Sequence, residues 1–370
     1  MGGRLLPSTR LKNHCHATYL LRYHPTPLTS MSPSPNDTPP LSEFTYRSLN
    51  IRDNTLDEQN LNHGCPLDIG RHYLKPTSDL GGLAILPVEL LAEVLTQLDL
   101  RSLFDFRRVN QSAMQSVDGV PQFKQILKHN PTIIQAALAT EAGSYSSCND
   151  LLRTIRAPHC EHCGDLGGYI YLLDRSRVCF LCFTEVARCL PLTAAQVCRQ
   201  FGLDRSHLSG LPTIKSLVGS YSPNEKKCSK RLVLYDHGSA HQAGIALHGS
   251  DEKVMVFAAE KFARTLEEYE RRSREHSQGL ISGPKPQRPI NPSEEHDGHS
   301  SNPYRFMAIV RAPWVPSASD APVPGFYCLG CSRENRARPL HWRRKFTEET
   351  FEEHIRQCGT IRDGKHEPLV

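Results

Sequence analysis

At 370 residues the chain is long enough for two or three domains. Its 27 prolines sit mostly in two stretches and hydrophobic residues make up only 38%, so part of the length is linker and the folded modules are small. A net charge of +5 is weak for this length and disfavours a dedicated nucleic-acid binder, which needs a concentrated basic face. The longest apolar runs, such as Val254–Ala259, are far too short to cross a bilayer, and no secretory signal core is evident. The 13 cysteines therefore read as thiols or metal ligands in cytosol or nucleus, with no membrane association expected.

Residues 1–80 read as a disordered tail. Met1–Arg22 carries Arg4, Arg10, Lys12 and Arg22 without an acidic residue, superficially like a mitochondrial presequence, but Pro7 interrupts it. Met31 is a candidate alternative start. Ser32–Pro40 is Pro/Ser-rich and cannot bury enough apolar surface to fold.

From Gly81-Gly82 the pattern changes. Pro87 stands at the expected first helical position, where a missing N–H costs nothing. Leu91, Val94, Leu95 and Leu98 then fall at helical spacing, with Leu90 widening the stripe. Asp99 is a candidate cap for a second helix carrying Leu100, Leu103, Phe104 and Phe106. Asn110 is placed to cap a third, Pro121 and Pro131 to open a fourth and fifth, and Asn149 to cap a sixth. Connections of two to four residues favour neighbouring helices packing together.

The string Leu86-Pro87-x-Glu89-Leu90, then Val94-Leu95, Leu98-Asp99-Leu100, Leu103 and Arg108-Val109 resembles the F-box. That resemblance implies a docking module over residues 81–128 for the Skp-type adaptor of a Skp–cullin–F-box ubiquitin ligase, followed by a helical extension over 129–157. It also implies that Leu86, Pro87, Leu90, Val94, Leu95, Leu98, Leu103 and Val109 face the adaptor or hold the module's core; the sequence does not divide them between the two roles.

Cys160-x-x-Cys163, fifteen residues, then Cys179-x-x-Cys182 is the strongest chemical signal in the chain. Each pair lets one tight turn present two sulfurs to one ion, and zinc takes four thiolates at tetrahedral corners. Gly164 stands where such a turn needs positive φ. Tyr169–Leu173 and Val178–Phe180 read as strands joined by a turn at Asp174–Arg177, completing a module over 158–190. Four thiolates close the coordination, so this zinc is structural. CEHCG…RVCFLCF after an F-box also resembles a group of fungal F-box proteins with downstream cysteine pairs, which implies an architecture and no particular target.

Residues 191–275 read as a mixed α/β region. Thr193–Leu208 has a helix-turn-helix look, but Ser209-Gly210-Leu211-Pro212 stops the second helix too soon for a recognition helix. Arg231–Tyr235 and Val254–Phe257 are candidate strands, the second alternatively a helix start. Glu260–Arg274 is a charged helix, and residues 276–303 are a flexible linker.

In the last module, 304–360, Tyr304–Val310 reads as a strand. Cys328-x-x-Cys331 is followed after twenty-two residues by His354-x-x-x-Cys358, on a helix capped by Thr347. His354 and Cys358 share a face at i, i+4, which makes Cys328, Cys331, His354 and Cys358 a second candidate zinc set, with His341 a rival ligand. Arg333, Arg336, Arg338, Arg343, Arg344 and Lys345 hint at phosphate contact, but Glu348, Glu349, Glu352 and Glu353 beside them point to a mixed solvated surface. Residues 361–370 read as a tail.

The expected fold is α+β in several modules: short helices first, then small zinc-stabilised mixed modules, with a disordered tail and linker. The expected function is a non-catalytic substrate receptor that joins a target protein to the ligase through the adaptor and cullin. The alternatives are a zinc-dependent nucleic-acid or chromatin-binding regulator, and an F-box protein acting outside a ligase. No nucleophile elbow, P-loop or dinucleotide fingerprint favours an enzyme.

Overall fold

A computed structural model describes residues 41–57, 61, 76–292, 301–317, 321–334, 336 and 338–367. The presequence-like stretch, Met31, the Pro/Ser-rich run and the middle of the expected linker, 293–300, lie outside them. The described residues from Leu41 onward form one compact unit.

The unit opens with a 3-10 turn at Leu41–Glu43 and a short strand, β1 (Thr45–Tyr46). Helices α1 (Val88–Gln97), α2 (Leu100–Arg107), α3 (Gln111–Gly119), α4 (Pro121–His129), α5 (Pro131–Ala139) and α6 (Cys148–Arg156) follow. Their starts are chemically explicit. Asp99 accepts from the Ser102 amide at 3.0 Å, and Asn110 accepts from the Ala113 amide at 2.8 Å. Pro121 and Pro131 occupy first turns, where no amide hydrogen is needed. Two expectations move slightly. Pro87 is the residue before α1, in extended conformation, and α6 is capped by Ser147, whose hydroxyl and Asp150 carboxylate make a reciprocal box in place of the Asn149 cap.

The middle region contains β2 (Tyr169–Tyr171), β3 (Arg177–Val178), α7 (Phe180–Glu185), β4 (Leu192–Thr193), α8 (Ala194–Gln200), β5 (Thr213–Lys215), β6 (Gly219–Tyr221), β7 (Lys226–Cys228) and β8 (Val233–Tyr235). The helices α9 (His237–His248) and α10 (Asp251–Ser277) close it, joined through Gly249 at positive φ. Val254–Phe257 is therefore the first turns of α10. The short second helix expected after Gly202, too brief for a recognition helix, is a 3-10 turn, Arg205–Leu208.

The last stretch holds α11 (Pro303–Met307), β9 (Ile309–Arg311), β10 (Phe326–Cys328), α12 (Leu329–Ser332), β11 (Lys345–Phe346), α13 (Glu348–Cys358), β12 (Ile361–Arg362) and β13 (Lys365–His366). The strand expected over Tyr304–Val310 is a short helix and then a strand, because Asn302 caps Tyr304 and Pro303 supplies a helical first turn.

Sequence-distant strands meet. One sheet runs β3-β2-β9, so residues around 170 pair with residues around 310. Another runs β1-β10-β11, placing Thr45–Tyr46 beside Cys328. This corrects the expectation of a tail reaching residue 80: Asp53, Asn54, Thr55 and Leu56 are buried. A large core unites Leu91, Leu95, Leu103 and Phe123 of the helical module with Ile170, Phe183, Phe306 and Ile309. A smaller one joins β4, α8, α9 and α10 through Leu192, Val197, Ala240 and Val254. The helical module is thus packed into the rest. Among the described residues no helix is long and apolar enough to cross a membrane.

Candidate docking face and metal centres

In α1 the period of 3.6 splits the apolar residues between two faces. Leu91 and Leu95 are buried at 5% and 3% exposure, and Leu103 of α2 is fully buried. Leu95 and Leu103, which the sequence left open between adaptor contact and module core, therefore hold the helices together. Leu86 and Leu98 are half-buried against the same core. Pro87, Leu90, Val94 and Val109 face solvent, and Leu83, Ile85 and Val88 join them, with Ile85 at 86% and Val88 at 72%. The period stripe had no means of finding Ile85 and Val88, because they flank the helix start. These are large apolar side chains left in solvent by a folded module, with Leu90 and Val94 on one side of α1, and exposed apolar groups of this kind are candidates for a binding surface. Arg107 backs it, bonding both Asp118 oxygens at 2.8 and 3.1 Å and fixing α2 on α3.

The first metal centre is built as its spacing predicts. Cys160, Cys163, Cys179 and Cys182 bring their sulfurs within 4.8 Å of one another, and Cys163 and Cys179 lie 3.6 Å apart. A zinc tetrahedron with ~2.3 Å bonds has edges of about 3.8 Å, so the four thiols fit the ion. Gly164 takes φ 78° and donates to the Cys160 carbonyl at 2.9 Å, closing the first turn. Cys179 caps α7, its sulfur receiving the Cys182 amide. The β2–β3 hairpin that joins the pairs registers Tyr169 with Val178 and Ile170 with Arg177. Phe180, expected as strand, begins α7.

Arg177 organises this hairpin and was not singled out by sequence. Its guanidinium is fully buried and donates to the carbonyls of Thr154, Ile155, Gly167 and Ala312 at 2.7–2.9 Å. Two of these are end carbonyls of α6, which favour a cation. Burial draws its pKa down to about 10. Gly167 has to be glycine here, since a Cβ would stand 2.3 Å from Arg177 Cγ.

The second centre forms with one changed ligand. Cys328, Cys331, His354 and His366 come together, the first three buried. His366 Nε2 lies 3.3 Å from Cys328 Sγ and His354 Nε2 lies 3.4 Å from Cys331 Sγ, near the edge length of a mixed sulfur–nitrogen tetrahedron. Cys358 is not in the set. It does share the face of α13 with His354, but its sulfur meets the opposite ring nitrogen, Nδ1, at 3.4 Å and accepts from Arg336 at 3.2 Å. His366 arrives on the β12–β13 hairpin, and its own Nδ1 is held by the Gly359 carbonyl at 2.9 Å, which leaves Nε2 for an ion. The rival His341 is likewise outside the group.

The close thiols in both groups share their protons unequally. The Cys328 thiol is drawn down to about 3, chiefly by the Cys331 thiol donating to it, and Cys331 is pushed up in return. Cys160 and Cys179 split in the same way within the first group. Thiols this close cannot all ionise unless a cation binds them jointly. An ion held by all four groups at either place would have no position left for substrate water.

The arginines of the last module are committed to neighbours. Arg338 grips Glu185 of α7 at 2.9 and 3.1 Å, and Arg344 pairs with Asp165 at 2.6 Å. Arg343 is buried against Asp53 and lies 3.4 Å over the Phe180 ring, while Arg336 pairs with Glu334 at 2.8 Å. The apparent basic cluster joins the two metal modules.

Residues 83–125 match the family model of the F-box domain. This segment is an F-box. F-box domains in general bind Skp-type adaptors of Skp–cullin–F-box ubiquitin ligases, and F-box proteins are generally non-catalytic. No curated protein and no solved structure matches the chain.

Proposed function

We propose that this chain is the non-catalytic substrate-receptor subunit of a Skp–cullin–F-box ubiquitin ligase. The observation that carries the reading is the exposed row Ile85, Val88, Leu90 and Val94 on an F-box whose inner face is already satisfied. A few such anchors buried by a partner supply most of an interface's energy. The row docks the Skp-type adaptor, and through it a cullin. Two structural zinc ions, at Cys160/Cys163/Cys179/Cys182 and Cys328/Cys331/His354/His366, brace the half that receives the target protein. Because the F-box shares its core with that half, the target is presented in a set direction toward the ubiquitin-carrying enzyme. The chain works in cytosol or nucleus.

The commitment of Arg338, Arg343 and Arg344 to Glu185, Asp53 and Asp165 counts against the nucleic-acid alternative. Affinity purification with mass spectrometry, under a block of cullin activation, tests the proposal. Adaptor and cullin should both be enriched. Adaptor without cullin would point to a role outside a ligase, and absence of both would overturn the assignment.

A further inference from the structure

Residues 41–57 precede the F-box in sequence, yet they are built into the opposite end of the chain. Leu41 and Phe44 pack on the small core of Cys328, Cys331, Phe346 and Phe351. Thr45 pairs with the ligand Cys328, Tyr46 pairs with Tyr327, and the Tyr46 and Tyr327 rings stack at 5.3 Å. The Leu329 amide, at the start of the short helix between the two cysteine ligands, donates to the Phe44 carbonyl at 2.9 Å. The turn that presents the thiols is therefore one wall of this segment's seat.

Further along, the segment crosses to the other metal module. The Asp53 carboxylate is buried between the Tyr169 hydroxyl, at 2.7 Å, and the Arg343 guanidinium. The Leu56 amide donates to the Ile309 carbonyl at 3.1 Å, with Leu56 fully buried. The two ends thus rest on unequal supports. Residues 53–56 lie on β2 and β9, part of the large core. Residues 41–46 lie on a module whose fully buried core is four side chains, two of them metal ligands. So small a core does not offset the entropy of ordering the segment. In modules of this kind, binding of a structural zinc supplies much of the free energy of folding.

We propose that residues 41–57 are a metal-dependent clasp. Loading of the Cys328/Cys331/His354/His366 site seats the segment and locks the two metal modules together. Loss of the ion releases it, frees Asp53 from Arg343, and leaves the F-box folded. The clasp rests on the zinc reading given above. Linkage makes the coupling reciprocal, so a seated clasp raises the zinc affinity of that site and a displaced clasp lowers it by the same factor.

The test uses the full chain as wild type, His366→Ala and Asp53→Ala, with zinc content and hydrogen exchange measured in parallel. In His366→Ala one zinc should be lost and amide exchange over residues 44–46 should quicken at least about tenfold, with residues 88–119 unchanged. Asp53→Ala leaves every ligand in place, and its second zinc should pass to a competing chelator at about tenfold lower chelator concentration. Loss of the ion with unchanged protection over 41–57 overturns the clasp alone, as does wild-type zinc affinity in Asp53→Ala. Wild-type protein without a second zinc overturns the metal reading and the clasp with it.

Discussion

The Tyr169 hydroxyl donates to the Asp53 carboxylate at 2.7 Å, across 116 residues of sequence. The same carboxylate pairs with Arg343, so one buried acid joins the segment before the F-box to both metal modules. Removing one partner from such a group leaves the other charge buried without compensation, which costs several kcal/mol. Residues 41–57 therefore belong structurally with the two cysteine-bearing modules.

The two faces of α1 separate docking from stability. Leu95→Ala should destabilise the fold by about 2–5 kcal/mol in chemical denaturation, because it opens a cavity in the shared core. Val94→Ala, one residue away and 48% exposed, should change stability by less than about 0.5 kcal/mol. Equal losses in the two variants would mean that the helix is turned differently.

Arg177 supplies the hydrogen bonds that close four buried carbonyls. Arg177→Met should cost about 3 kcal/mol or more in chemical denaturation, since four buried carbonyls lose the guanidinium donor and the one at Ile155 still accepts from the Val315 amide. It should also weaken the zinc site of Cys160, Cys163, Cys179 and Cys182, whose hairpin it braces. A variant as stable as wild type would show that the carbonyls find other partners.

The ligand assignment in the last module separates two neighbouring cysteine and histidine residues. Cys358→Ala should keep the full zinc content, whereas His354→Ala should lose one ion by elemental analysis of the purified chain. Loss of zinc in Cys358→Ala would return Cys358 to the ligand set.

Lys345 gives a pH signature. Burial, aided by the Arg311 charge, lowers its pKa from 10.5 to about 8. Between those values the unfolded chain keeps a proton that the folded chain has released, so this residue's contribution to stability rises with pH through that window. Below it both states are charged and the folded state bears the full desolvation penalty. Lys345→Met should raise the Tm at pH 7 by about 2–4 °C, and the advantage should shrink toward pH 10. An advantage that grows with pH would contradict the sign.

What could be read from sequence was local. The helix starts at Asp99, Asn110, Pro121 and Pro131 and the paired cysteines are short-range chemistry, and each stands where its spacing implies. The misplaced features depend on distant partners. Thr45–Tyr46 has no strand signal of its own and becomes a strand by pairing with β10. Cys358 satisfied helical spacing, yet i, i+4 placement does not say which ring nitrogen of His354 it meets, and His366 lies beyond the helix stop at Gly359. Arg177 looked like a turn residue because its acceptors include Ala312, 135 residues away.

On the proposed function, solvent-facing apolar residues of the F-box dock a Skp-type adaptor. The most direct measurement is the affinity of purified wild type and of a Leu90→Asp, Val94→Asp double variant for that adaptor. Wild type should bind, and the double variant should bind at least about 100-fold more weakly, with unchanged zinc content and Tm. Equal affinity in the two proteins, or no binding by wild type, would show that these residues do not dock the adaptor.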